Sequence, residues 1–101
     1  MCKDFRIVES ENNLETPCFI INKKDFETNI KDFKYALNSE FKKNILSYSV
    51  KTNSFPFLLF LAKTKGCYAE VVSYGEYELA KKIGFNINNI VSNHVIFGLY
   101  W

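Results

Sequence analysis

Lys51, Glu70 and Ser73 are the positions whose side-chain types and placement could do chemistry. Lys51 closes the alternation Ile-Leu-Ser-Tyr-Ser-Val-Lys over residues 45–51. With the two-residue period of a strand, Leu46, Tyr48 and Val50 share one face, while Ile45, Ser47, Ser49 and Lys51 share the other. One face is apolar; the other is small, polar and finally cationic. A lysine at a strand end ordinarily snorkels or pairs with an acid. In a shielded pocket its amine can instead lose its proton and form a Schiff base with a carbonyl compound, because burial disfavours the charged form. Glu70 belongs to the next strand-like segment, within reach of Lys51 or of something bound to it if the two strands are parallel neighbours. Ser73 and Glu76 have the spacing of a helix capping box, which explains both without any function. The amides beyond Ser73 could receive an anion, as those of any helix start can.

The elements that must position these residues follow from periodicity and its punctuation. After an irregular, polar arm over residues 1–16, with one short strand expected near residues 5–8, Pro17 opens an apolar run over residues 18–21 that reads as an edge strand. Asn22 offers a cap, and Phe26, Ile30, Phe33 and Leu37 recur at helical spacing, predicting an amphipathic helix over residues 23–38. Its other face, with Lys24, Glu27, Lys31 and Lys34, reads as solvated. Strands are predicted over residues 45–51, 68–72 and 90–92, and helices over residues 56–65 and 74–83. Asn53 or Ser54 is the expected cap of the helix at Pro56, and Gly66 and Gly84 stand where left-handed residues end helices. The helix over residues 56–65 is apolar on most sides, so a three-layered arrangement is expected. Strands recurring at the length of one β/α unit indicate an α/β fold with a parallel sheet, in which functional groups collect at the carboxyl ends of the strands.

Size and composition bound the function. The chain has 101 residues, 48% of them hydrophobic and 17% aromatic, which suits one core and not two. Thirteen basic against eleven acidic residues, interspersed, give +2 and no basic block, so neither nucleic acid nor a membrane surface is an expected partner. Cys2, Cys18 and Cys67 are odd in number and widely spaced, as expected of reduced thiols in a cytoplasmic protein. With His94 as the single histidine, no metal site is expected. The opening residues are polar, unlike a leader, and the longest apolar run, residues 55–62, is far short of a membrane span.

From about Thr16 to Asn93 the chain resembles the amino-terminal part of the pyridoxal-phosphate-dependent amino-acid decarboxylases built on an alanine-racemase-like barrel, the group of diaminopimelate, ornithine and biosynthetic arginine decarboxylases. The resemblance rests on Thr16-Pro17 before an apolar strand, on Tyr-Ser-Val-Lys-Thr-Asn over residues 48–53, similar to the family's Tyr-x-Val-Lys-x-Asn, and on Glu-Val-Val-Ser-Tyr-Gly-Glu over residues 70–76, similar to Asp-Val-Val-Ser-x-Gly-Glu. Ala80, Gly84 and Phe85 also fall in the pattern. What the resemblance implies is a partial (β/α)8 barrel, with residues 17–101 as an incomplete cofactor-binding domain. It further implies pyridoxal 5'-phosphate as cofactor, Lys51 as the catalytic lysine that holds it by a Schiff base, and Glu70 and Ser73 as further cofactor-binding positions. The substrate it implies is a small-molecule amino acid, and the full-length protein is expected to be a homodimer. The Thr-Pro start and the Val-Val-Ser-x-Gly-Glu form look most like diaminopimelate decarboxylase, a carboxy-lyase of lysine biosynthesis. Ornithine, arginine or carboxynorspermidine decarboxylase is the alternative, as is a truncated remnant without catalysis.

Departures accompany the match. Glu70 stands where the family usually has aspartate, and His-Val-Ile-Phe-Gly-Leu-Tyr-Trp over residues 94–101 matches nothing in the pattern. A complete barrel takes eight β/α units and ~250 residues, so this chain corresponds to about the first three units. It is expected by itself to lack the later phosphate site and acid of the family, to release no carbon dioxide from an amino acid, and to associate through its uncovered edge.

Overall fold

The computed structural model describes residues 14–93. The strand expected near residues 5–8, Cys2, His94 and the aromatic tail lie outside them. The described residues form α1 (Lys23–Glu40), β1 (Ser47–Ser49), α2 (Pro56–Thr64), β2 (Tyr68–Val71), α3 (Tyr74–Ile83), a 3-10 turn (Ile87–Asn89) and β3 (Ile90–Ser92). The strands form one parallel sheet in the order β1-β2-β3. This is the α/β architecture expected from the two periodicities.

Local chemistry explains the boundaries. The Asn22 side chain accepts the Asp25 amide at the start of α1. Ser73 accepts the Glu76 amide at 3.2 Å, and a Glu76 carboxylate oxygen accepts the Val72 amide at 3.2 Å, so the capping box forms with its acid reaching one residue further back than the cap itself. Gly66 and Gly84 end α2 and α3 with φ of +82° and +111°, a backbone region costly for a residue with a Cβ. Pro56 opens α2, but its cap is Phe55, whose amide donates to the Asn53 side chain at 3.1 Å. Asn53 therefore organises the turn before the helix instead of capping it.

The core lies on one side of the sheet. Val50, Ala69 and Val71 are fully buried against Leu59 of α2, Tyr77 and Ala80 of α3, and Phe85, with Tyr48 and Ile90 packed at the margin. The register pairs Tyr48 with Ala69, Ala69 with Ile90, and Ser49 with Glu70. Ser47, Ser49, Tyr68, Glu70 and Val91 occupy the opposite face, and none of them is buried. The expected third layer is thus not present among the described residues. Successive right-handed crossovers between neighbouring parallel strands carry α2 and α3 to the same face. Phe60 of α2 accordingly points away from the core, 47% exposed, with the Lys63 ammonium 5.4 Å from its ring centre.

Two other expectations change. Residues 18–21 form no strand, and Phe19 is 95% exposed; a β-type run becomes a strand only where a neighbour accepts its amides, and β1 ladders with β2 alone among the described residues. The stripe of α1 forms as predicted, but Phe26, Ile30 and Leu37 are half-buried and Phe33 is 56% exposed, because α1 meets the sheet only at its margin, Phe26 lying edge-on to Tyr48. Among the described residues no helix is long and apolar enough to cross a membrane.

Candidate functional site

The carboxyl ends of β1 and β2 and the turns that leave them bring the predicted residues to one edge of the sheet. Ladder hydrogen bonds run from the Leu46 carbonyl, which accepts the Tyr68 amide, to the Val50 amide, which donates to the Glu70 carbonyl at 3.1 Å. The Thr52 amide then donates to the Ser49 carbonyl at 3.1 Å, closing a turn with Val50 and Lys51 at its centre. Lys51 is therefore two residues past β1, not its last residue. The strand ends where this turn takes over, with Val50 keeping its place in the core. Lys51 itself is exposed.

The Lys51 turn is held from both sides. Val50, with no exposed surface, anchors it in the core, and the Tyr48 hydroxyl donates to the Asn53 carbonyl at 2.7 Å. Burial raises the Tyr48 phenol above its ordinary pKa of 10.0, so the hydroxyl stays protonated and remains a donor through the neutral range.

Glu70 lies in register with Ser49, on the face away from the helices. Its carboxylate accepts the Asn93 side-chain amide at 3.2 Å, and the Asn93 backbone amide donates to the Val71 carbonyl at 3.0 Å. Asn93 thereby fixes the Glu70 carboxylate at the mouth of the sheet. Among the described residues Lys51 and Glu70 form no ion pair; the ladder joins them only through the backbone. Ser73 lies past the end of β2, at the cap of α3, and its oxygen is engaged by the Glu76 amide. The amine, the carboxylate and the hydroxyl share one edge without touching one another.

Sequence reasoning missed Tyr48 and Asn93. Tyr48 was legible as an apolar-face residue and as the first residue of the Tyr-Ser-Val-Lys-Thr-Asn motif but not as a hydrogen-bond donor, although a tyrosine packed against a core ordinarily needs a partner for its hydroxyl. Asn93 carries no local signal, since its contact with Glu70 crosses 23 positions. Two open hollows of the described surface lie elsewhere, one between α1 and Lys65 and one around residues 38–45, and neither includes Lys51. Both are open and shallow, and the carboxyl edge has the stronger chemical claim.

Fold and edge together define a parallel α/β unit with a tethered lysine turn at the carboxyl ends of its strands. No protein-family model matches the chain.

Proposed function

We propose that this chain is the amino-terminal part of a pyridoxal-phosphate-dependent amino-acid decarboxylase of the diaminopimelate, ornithine and arginine decarboxylase group, with diaminopimelate as the leading substrate and Lys51 as the cofactor-holding amine. The observation that carries this reading is the one-sided sheet. Helices cover the face of Val50, Ala69 and Val71, while Ser47, Ser49, Tyr68 and Glu70 line the opposite face, which would be the interior one in a partial barrel with its helices outside.

The residues present suit part of the cofactor's needs. Lys51 supplies the amine on a turn of fixed backbone. Glu70, steadied by Asn93, supplies an anionic acceptor one strand away, and the Ser73 hydroxyl lies at the start of α3, where backbone dipoles favour negative charge. When bound, the cofactor's ring accepts the electron pair left as the substrate carboxylate departs as carbon dioxide. Glu70 as an acceptor, and Ser73 at the anion-favouring start of α3, would orient it with respect to Lys51.

The test is incubation with pyridoxal phosphate, borohydride reduction and peptide mapping. Adduct concentrated at Lys51, and lost on Lys51→Ala without loss of fold, is expected. Modification spread evenly over the lysines would overturn the reading. A second reading, a unit that only associates with other chains, is favoured by the uncovered sheet face and by the exposure of Phe19, Phe33 and Val91. It predicts even modification together with concentration-dependent sedimentation.

A further inference from the structure

Tyr48 ties β1 to the segment leading into α2 across the Lys51 turn. Its backbone is paired with Ala69 inside the sheet, its ring lies edge-on to Phe26 of α1 at 6.1 Å, and its hydroxyl reaches the Asn53 carbonyl at 2.7 Å. Backbone, ring and hydroxyl are thus each held by a different element. Inside the loop so closed, the Thr52 amide bonds the Ser49 carbonyl, and just beyond it the Phe55 amide bonds the Asn53 side chain. Lys51 stands between those two fixed ends, with Val50 buried immediately before it.

We propose that Tyr48 is a positioning residue for Lys51: by donating its hydroxyl to the Asn53 carbonyl it closes the turn over residues 50–53 and sets where the Lys51 amine stands above the carboxyl edge of the sheet. Packing alone does not require the hydroxyl, since a phenylalanine ring would fill the same space between Phe26 and the sheet. Without the hydroxyl the Asn53 carbonyl loses that donor, and the turn is left with the Thr52–Ser49 and Phe55–Asn53 hydrogen bonds and the Val50–Glu70 ladder bond before it. The edge of β1 is unladdered among the described residues, so the sheet offers no second restraint on that side. The consequence for cofactor capture rests on the function proposed above; the consequence for the turn does not.

The experiment compares the wild-type chain with Tyr48→Phe, reading amide exchange at Thr52 and Phe55 and the share of reduced pyridoxal phosphate adduct found at Lys51. Faster exchange at both amides and a Lys51 share lowered about fivefold, the loss of one hydrogen bond in positioning, are expected. Replacement of Tyr48 by 4-aminophenylalanine, which restores a donor, should recover both readouts. A folded Tyr48→Phe with unchanged exchange and unchanged adduct share would overturn the proposal. If the wild type itself shows no preference for Lys51, the cofactor reading fails, and exchange alone decides the tether: faster in Tyr48→Phe supports it, unchanged overturns it. Should Tyr48→Phe not fold, an ester in place of the Asn53–Ser54 amide weakens the accepting carbonyl with every side chain intact, and the same two outcomes apply.

Discussion

The Lys34 ammonium of α1 donates to the Lys65 carbonyl at the carboxyl end of α2. The next unit repeats the device, with Lys63 of α2 reaching the Ile83 carbonyl at the end of α3 at 3.5 Å. The first two helices thus each lend a cation to the negative end of the helix that follows, where unpaired carbonyls and the macrodipole favour positive charge. Around the first contact, Glu27 pairs with Lys65 at 2.7 Å and with Lys23 at 3.9 Å. Two members of the face expected to be merely solvated, Glu27 and Lys34, therefore bind α1 to α2.

Replacing Lys34 by Met should lower stability by about 1 kcal/mol, the ordinary worth of such a cap. It should also act on Cys67. Burial pushes the Cys67 thiol up and the Lys34 charge opposes that rise. Without Lys34 the thiol pKa should climb further, so that alkylation at a given alkaline pH slows; an unchanged alkylation profile in a folded variant would contradict the contact.

Alanine at Gly66 and at Gly84 should destabilise by about 1–2 kcal/mol each, since both positions have positive φ. The new Cβ would also come within 2.7 Å of Lys34 Nζ at Gly66 and within 2.8 Å of Lys63 Nζ at Gly84, displacing both caps. Gly75 provides the contrast. It sits in the first turn of α3 with the Ser73 oxygen 3.9 Å from an added Cβ, so Gly75→Ala should stabilise by about 0.5–1 kcal/mol. Urea denaturation of the three variants checks the order.

Leu59→Ala should cost about 2–5 kcal/mol, because Leu59 is fully buried between α2 and the sheet and cannot be replaced without a cavity. Phe60→Ala, one residue on and 47% exposed, should cost far less. Equal losses at the two positions would contradict the one-sided core.

Stability should fall on both sides of neutrality, for different reasons. Burial raises the Cys67 thiol above 9.0 and the Tyr48 phenol above 10.0, so their contribution is complete below those ordinary values and is lost as pH rises through the higher folded ones. The hydrogen bond from Lys65 holds the Glu27 carboxyl below 4.5, so its contribution is present above that value and is lost as pH falls through the lower folded one. Glu27 is half-buried at the protein surface, and its share should shrink with added salt. Thermal melts across pH should show the alkaline fall abolished in part by Cys67→Ala, and the acid fall reduced in Lys65→Met.

The helices and the parallel sheet were legible in the sequence because their determinants are local. Period 3.6 in α1, the Ser73–Glu76 box, Pro56 at the start of α2 and the terminating Gly66 and Gly84 act within a turn or two of chain, and they placed three helices to within two residues at each end. The expected site residues Lys51, Glu70 and Ser73 do come to one edge, since parallel β/α units bring strand ends together. What the sequence could not determine depended on partners distant along the chain. Whether residues 18–21 became a strand depended on a laddering neighbour, and whether α2 was sandwiched depended on the handedness of the crossovers. Only the tertiary structure decided that β1 ends at Ser49, that Glu70 bonds Asn93, and that Tyr48 closes the Lys51 turn. Each of these is the satisfaction of a hydrogen-bonding group whose partner is chosen by packing, and packing of one face against helices is a property of the whole sheet and not of any stretch within it.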